Sequence, residues 1–231
     1  MADDGIERNQ YGGHSMTSSD PIVVSDLKWL AKGMQRLIVR HPYDPSRILK
    51  IPYSGEVTDR RLRNAPVVAQ PANRHILRER SVYRRFGARL AAHPDDAPIP
   101  QYYGQVATDL GPADEYEGVF SRNGKSLGMT LLKLKRSEKL DQAAVADLNA
   151  FVSRMDAWDI PASDINGRNI VQGFRGETSA FTLVDGFGDY RAIPLATYSR
   201  IARRRVTAAS YRKIAARIGL NWDARARQFR A

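Results

Sequence analysis

Asp164-Ile165-Asn166-Gly167-Arg168-Asn169-Ile170-Val171 and Leu183-Val184-Asp185-Gly186-Phe187-Gly188 are the two stretches of this chain that decide its fold. The first leads from an acidic residue through a turn into an apolar strand. The second leads from an apolar strand into an acidic residue and a turn bracketed by glycines. The residues between them, 172–179, are rich in turn formers, so the two stretches predict a β-hairpin.

The register expected for this hairpin brings polar side chains together. If the turn is centred near Glu177, antiparallel partners sum to about 354. Asn169 and Asp185 then face each other at the open end, with Asp164 just beyond them. An amide and a carboxylate side by side suit a hard cation such as Mg²⁺, and a further carboxylate suits orienting a hydroxyl group. This arrangement predicts a phosphotransfer site, while a calcium site or a simple turn also fits the hairpin taken alone.

Composition excludes several classes of protein. The chain has 231 residues, 42% of them hydrophobic, which is enough for one large domain or two small lobes. No apolar run approaches the roughly 18 residues of a membrane span, and the polar N-terminus lacks a secretory signal. The absence of cysteine excludes disulfides and thiolate metal sites, and four scattered histidines argue against a histidine-rich one. We expect a cytoplasmic protein.

The basic charge is concentrated in one segment. The net charge is +11, and residues 191–231 contain eleven basic residues and one acidic residue, a net of +10. Such a concentration of positive charge favours contact with an anionic partner or with an anionic membrane surface. In the second case the protein would be peripheral to a membrane. The residues expected to be exposed for this contact are Arg203, Arg204, Arg205, Arg212 and Lys213.

The order of predicted elements suggests two lobes after a leader. Residues 1–20 are polar and are expected to be disordered. Residues 21–122 form a strand-rich N-lobe with one helix, in which strands are predicted over 35–39, 47–51, 101–107 and 116–120. A glycine-containing break over 121–125 is the expected hinge. Residues 123–231 then form a C-lobe with a scaffold helix from Asp141 to Trp158, the hairpin, and basic helical residues over 195–220.

Two charges interrupt apolar patterns in the N-lobe. Lys50 lies within a predicted apolar strand, where a lysine of an edge strand reaching water is the commoner case. Glu79 falls within a helical stripe of Ile76, Tyr83, Phe86 and Leu90, and a carboxylate on a core face needs a cation. Lys50 is the attractive partner for Glu79, and a neighbouring arginine of the same helix is the alternative.

The sequential order of these features resembles the protein-kinase-like fold. More narrowly, the chain resembles the bacterial YrbL family of PhoP regulatory network proteins over about residues 25–205. The resemblance is carried by short motifs, which are Gly33-Met34-Gln35-Arg36, His41-Pro42, Ile48-Leu49-Lys50-Ile51, Arg78-Glu79 with Tyr83, Ile99-Pro100-Gln101-Tyr102-Tyr103-Gly104, the two hairpin stretches, and Ile193-Pro194-Leu195-Ala196. It implies an α+β fold of two lobes, with an antiparallel sheet in the N-lobe and a reduced, mainly helical C-lobe.

The resemblance also implies a role for each polar residue in a site that uses ATP and Mg²⁺. Lys50, held by Glu79, would bind the α- and β-phosphates, with Gly33 covering the nucleotide and Arg168 supplying a further positive charge. Asp164 would orient the attacking hydroxyl and accept its proton. The metal ligands would be Asn169 and Asp185.

Departures from the kinase pattern keep other functions open. Only Gly33 stands where a glycine-rich loop is expected, and about 40 residues after Asp185 are too few for the substrate platform of a protein kinase. The leading hypothesis is a phosphotransferase whose hydroxyl acceptor, a protein, a glycan or a small molecule, is unidentified. The first alternative is a non-catalytic, kinase-like regulatory or scaffold protein. The second is nucleic-acid binding through the basic C-terminal segment, although a solvated helix face is the simpler interpretation of that segment.

Overall fold

The computed structural model describes residues 20–33, 36–52, 74–188 and 199–230. An antiparallel sheet and one helix form the first half, and helices with a three-stranded sheet form most of the second, so the predicted α+β class is confirmed. The predicted leader lies outside the described residues, apart from Asp20.

Five antiparallel strands build the first sheet, in the spatial order β1-β2-β3-β5-β4. Their bounds are β1, Trp29–Lys32; β2, Arg36–Arg40; β3, Arg47–Pro52; β4, Tyr102–Val106; and β5, Ala113–Glu117. The fifth strand begins three residues before its predicted position. Its residues Asp114 and Glu115 are buried and form ion pairs with arginines. The alternation of polar and apolar residues that marks a strand is absent from this part of the sequence, because acidic residues that are paired with arginines occupy buried positions.

The two faces of β3 have different surroundings, as the alternation of its residues predicts. Leu49 and Ile51 enter a small apolar cluster on one face of the sheet. Ile48 belongs to the main core on the other face, and Lys50 shares that face with it. β3 is the central strand, and Lys50 is only 3% exposed, so its interpretation as a lysine of an edge strand that reaches solvent is wrong.

Helix α1, Arg74–Ala92, packs its predicted stripe against this core. Ile76, Tyr83 and Leu90 are buried, Phe86 is half-buried, and Glu79 is fully buried among them. The periodicity of the sequence therefore identified both the apolar face and the single carboxylate that it carries.

The second half contains the short strand β6, Met129–Thr130, and the helices α2, Leu131–Arg136, and α3, Gln142–Trp158. The side chain of Asp141 caps α3 by accepting from the amide of Ala144. The stripe of α3 is buried as expected, and β6 and α2 were not predicted. The chain ends with helix α4, Arg200–Ile218, and a small hairpin of β9, Asn221–Asp223, and β10, Gln228–Arg230.

The predicted hairpin is present as β7, Ile170–Arg175, and β8, Thr178–Leu183, but its register differs by one residue. Partners such as Ile170 and Leu183 sum to 353, because the turn is a two-residue one formed by Gly176 and Glu177. Gly176 has φ of +58°, the left-handed conformation that tight hairpin turns require. Asn169 therefore lies opposite Val184 and not Asp185, with the amide of Val184 donating to the carbonyl of Asn169 at 2.9 Å.

Candidate functional site

Two loops run side by side just beyond the open end of the β7–β8 hairpin. The amide of Gly188 donates to the carbonyl of Pro161 at 2.7 Å, that of Ser163 to Gly188 at 3.1 Å, and that of Asp164 to Gly186 at 3.2 Å. These backbone hydrogen bonds link the residues before β7 to those after β8. They bring Asp164 next to the residue that follows Asp185.

Gly186 is the point of closest approach between the two loops. Its φ is +82°, and a Cβ atom at this position would lie 2.4 Å from the carbonyl oxygen of Asp164 and 2.8 Å from Nδ2 of Asn169. Only glycine meets both requirements without displacing backbone. Gly186, the residue directly after Asp185, thus lies against both Asp164 and Asn169.

The amide of Asn169 is oriented by Asp164. Its Nδ2 donates to the carbonyl of Asp164 at 3.1 Å and approaches Oδ2 of the same residue at 3.4 Å. Nδ2 of Asn166 donates to the other carboxylate oxygen of Asp164 at 3.0 Å. Asp164 is exposed, while Asn169 is half-buried, and the structure gives Oδ1 of Asn169 no hydrogen bond within the described residues. That oxygen is the atom a metal ion would use.

One guanidinium group connects this loop pair to the first sheet. Arg36, at the start of β2, donates to both carboxylate oxygens of Glu79, at 2.7 and 3.1 Å. Its Nη2 also donates to Oδ2 of Asp185 at 2.7 Å. The predicted Lys50–Glu79 pair is therefore replaced by an Arg36–Glu79 pair, and Arg80, a neighbouring arginine on α1, pairs with Asp114.

Sequence reasoning missed Arg36 although a signal for it was present. Alternation along β2 places Arg36 and Ile38 on the same face, and Ile38 pairs directly with Lys50. Arg36 and Lys50 therefore lie on the same face of the first sheet, near Glu79. The planar guanidinium spans two carboxylates at once, which the single ammonium of a lysine does less well.

Lys50 occupies a different position in the site. Its Nζ donates to the carbonyl of Val184 at 2.6 Å and lies 4.4 Å from the ring centre of Tyr116. An ammonium has three donors, so this contact leaves others for a ligand. Burial and the neighbouring charge of Arg36 lower the pKa of Lys50.

The two carboxylates of the site respond to their surroundings in opposite directions. Burial raises the pKa of Glu79 to about 7 against the effect of Arg36, and a hydrogen bond with Asp185 adds to the rise. Burial alone would raise the pKa of Asp185 too. The hydrogen bond with Glu79 and the charges of Arg36 and Lys50 outweigh it and hold that pKa well below its usual range. The Asp185 carboxylate is thus ionised at neutral pH, as a metal ligand must be.

A small apolar cavity adjoins Lys50 and Asp185. Its volume is about 80 Å³, compared with roughly 300–1,000 Å³ for typical ligand pockets. It lies between the first sheet and β7, and its lining includes Ile38, Ile48, Val119, Leu127, Val171 and Val184. The charged residues of its lining are Lys50, Glu117 and Asp185.

The remaining predicted residues lie at the edges of this site. Gly33 follows β1, and its amide donates to the carbonyl of Arg36, the first residue of β2, at 2.9 Å. Arg168 is exposed on the loop between Asp164 and β7. Across the described ranges, histidine, cysteine, aspartate and glutamate form no group of three or more that could hold a metal ion.

The basic helix α4 is only partly available to a partner. Arg204, Arg205, Arg212 and Lys213 are exposed, as predicted. Arg203 is 5% exposed because its guanidinium binds Asp159 at the C-terminal end of α3, so its prediction as a surface contact is wrong. Tyr211, on the same helix, is buried against Trp222 and Phe229. Within the described part of the chain, no helix combines the length and apolar character needed to cross a membrane.

Comparison with known proteins identifies a sequence family. The family model described as PhoP regulatory network protein YrbL matches residues 22–219. The uncharacterized protein YrbL of Escherichia coli (strain K12) is 27% identical over 185 residues, which cover 78% of this chain and 79% of that protein. The uncharacterized protein YrbL of Shigella flexneri gives the same values.

Comparison with solved structures finds protein kinase domains. The PknI kinase domain of Mycobacterium tuberculosis is 18% identical, covers 82% of this chain and 71% of its own, and has a TM-score of 0.48. A double mutant of the same domain gives 15% identity with the same coverage and TM-score. Similarity at this level carries no argument about activity, which depends on the residues that this chain places in the site.

Proposed function

This chain belongs to the YrbL family of PhoP regulatory network proteins, and we propose that it is a phosphotransferase that uses ATP and Mg²⁺. The acceptor is a hydroxyl group, presented at the exposed carboxylate of Asp164. The observation that supports the proposal is the set of backbone hydrogen bonds between residues 161–164 and 186–188, because Asp164 is bonded there to Gly186, the residue after Asp185.

The donors at this point fit a magnesium ion. Asp185 offers an ionised carboxylate and Asn169 offers an amide oxygen, and hard oxygen ligands are what Mg²⁺ prefers. Mg²⁺ is commonly held by one or two carboxylates together with the phosphates of a substrate, so a large acidic cluster is not required. When bound, the ion would neutralise charge on the transferred phosphoryl group.

The residues around the metal ligands supply the other requirements of the reaction. Lys50 lines the apolar cavity together with Asp185, and its remaining N–H donors would bind phosphate oxygens. Asp164 is accessible, and both its oxygens already accept from neighbouring amides, at 3.0 and 3.4 Å. This support fixes the direction of the carboxylate, which then orients the acceptor hydroxyl and takes its proton. Glu79 holds the guanidinium of Arg36 in place beside Asp185.

Nucleotide binding and turnover test the proposal directly. The purified chain is heated with and without ATP and Mg²⁺, and release of ADP is measured, for the parent, Asp185→Asn, Asp164→Asn and Asp147→Asn. The last is a matched control, since Asp147 is an exposed aspartate on α3. We expect Asp185→Asn to lose the thermal shift and Asp164→Asn to keep it. Both should lose turnover by at least about a hundredfold, while Asp147→Asn behaves as the parent. A parent that shows neither a shift nor ADP release contradicts the proposal.

A non-catalytic regulatory role is the second candidate, and two observations favour it. Arg36 holds the proposed metal ligand Asp185, and the adjoining cavity has a volume of only about 80 Å³. A protein that worked in this form would act through contacts with other proteins. It would give no thermal shift with ATP and Mg²⁺, so the same measurement separates the two functions.

A further inference from the structure

The proposed metal ligand already has a cation as its partner. Nη2 of Arg36 donates to Oδ2 of Asp185 at 2.7 Å, and the backbone amide of Gly186 donates to Oδ1 at 2.7 Å. Both carboxylate oxygens therefore accept hydrogen bonds from the protein itself. The Arg36 side chain is 6% exposed, while that of Asp185 is 40% exposed, so solvent reaches the carboxylate from the side away from the arginine.

We infer that Arg36 is a positioning residue that controls access of a divalent cation to Asp185. Its guanidinium occupies Oδ2, and the metal ion ligates this oxygen only after the Arg36–Asp185 hydrogen bond has broken. The inference rests on the proposed function, in which Asp185 ligates the metal. It adds a residue whose role is to regulate that ligation.

The electrostatics of the site make the two cations mutually exclusive. A divalent ion on Asp185 would lie within a few ångströms of the buried guanidinium of Arg36, and like charges at that distance repel each other. Lys50 is already nearby, and the charge of Arg36 contributes to lowering its pKa. A third positive group is accommodated only if one of the first two withdraws from Asp185.

The geometry gives Arg36 somewhere to remain when it releases Asp185. Its Nη1 binds Oε2 of Glu79 at 2.7 Å, in a contact that does not involve Asp185. Glu79 is fully buried and stays paired in both states, so no buried charge is left without a partner. The exchange thus consists of a rotation about the Nη1–Oε2 contact, which breaks the bond from Nη2 to Asp185 and also alters the 3.1 Å bond from Nη2 to Oε1 of Glu79.

Binding of Mn²⁺ alone, without nucleotide, measures this competition. The dissociation constant is determined by titration calorimetry and by electron paramagnetic resonance of free Mn²⁺ for the parent, Arg36→Gln and Arg40→Gln. Arg40 is a matched control because it lies on the same strand and its guanidinium donates to the carbonyls of Pro45 and Gly124, not to a carboxylate. We expect Arg36→Gln to bind Mn²⁺ about tenfold more tightly than the parent, which is about 1.4 kcal/mol. Arg40→Gln should stay within about twofold.

Two further variants locate the gain in affinity at Asp185 and separate it from changes in folding. Adding Asp185→Asn to Arg36→Gln should abolish the gain, which assigns the gained affinity to Asp185. Arg36→Lys keeps the charge and tests the inference if Arg36→Gln fails to fold. A lysine cannot bind Glu79 and Asp185 in a fork, so its Mn²⁺ affinity should lie between those of the parent and of Arg36→Gln.

The outcomes separate this inference from the proposed function. Damage to the fold would weaken Mn²⁺ binding, so a gain in affinity does not come from a purely structural role of Arg36. Parent and Arg36 variants that bind Mn²⁺ equally, with binding lost in Asp185→Asn, overturn the control by Arg36 and leave the metal site standing. Absence of Mn²⁺ binding in all variants overturns the inference, and the proposed function falls with it only if the parent also shows neither a thermal shift nor ADP release with ATP and Mg²⁺.

Discussion

Replacement of Gly186 by alanine tests the close approach on which the site depends. Gly186 has φ of +82°, where an alanine costs about 1–2 kcal/mol. The new Cβ atom would lie 2.4 Å from the carbonyl oxygen of Asp164, so the two loops must separate, at a cost of about 1–3 kcal/mol. The sum is about 2–5 kcal/mol, which corresponds to a fall in Tm of roughly 4–20 °C for a chain of this length.

The matched control for this prediction is Gly124→Ala. Gly124 also has a positive φ, +67°, but an added Cβ atom would meet nothing within 4 Å. Only the conformational cost then applies, about 1–2 kcal/mol. Both variants and the parent are unfolded by heat and by urea, and the thermal shift with ATP and Mg²⁺ is recorded. Gly186→Ala should be the less stable variant and should lose the ligand shift, which Gly124→Ala keeps. Equal stabilities and equal ligand shifts would refute the close approach of the loops.

Two further predictions concern charges buried in the fold. Arg175 binds Glu117 and the carbonyls of Pro94 and Ala97, so Arg175→Met should lower the free energy of unfolding by about 3–5 kcal/mol in urea denaturation, and a loss below about 1 kcal/mol would contradict this. Glu79 has its pKa raised to about 7 from 4.5, so the folded state holds this proton more tightly than the unfolded chain. The resulting stabilisation is complete below about pH 4.5 and is lost as the pH rises through about 7, by on the order of 3 kcal/mol. Urea unfolding from pH 4.5 to 8 should show this fall in the parent and not in Glu79→Gln, and parallel pH profiles would contradict it.

The fold was predictable where a periodic pattern is long or a turn is strongly marked. The stripe of α1, the apolar face of α3 and the alternation of Ile48 to Ile51 all appear in the structure as expected. β5 was misplaced because the buried acidic residues Asp114 and Glu115 do not look like a strand core. Their ion partners lie in other elements, and no local pattern reveals them.

The candidate site was predictable as a set of residues and less so as a set of contacts. Asp164 and Asn169 converge on Gly186, the residue after Asp185, although the hairpin register differs by one residue from the expected one. That difference arose because the two-residue turn at Gly176 and Glu177 shifts every pair. The convergence survives because Gly186, beyond the hairpin, makes the decisive contact with Asp164.

The sequence by itself determined which residues are polar within apolar elements, in which order they occur, and which two stretches form the hairpin, because these features depend on neighbours along the chain. Only the tertiary structure decided which charges meet. Arg36 lies 43 residues from Glu79 and 149 residues from Asp185, yet one guanidinium binds both. A buried charged group has no water to bind, so it pairs with whichever opposite charge the folded chain brings within reach. In this protein Arg36 takes the place expected for Lys50 beside Glu79. The same guanidinium also binds the carboxylate of Asp185, within the Asp164–Gly188 site.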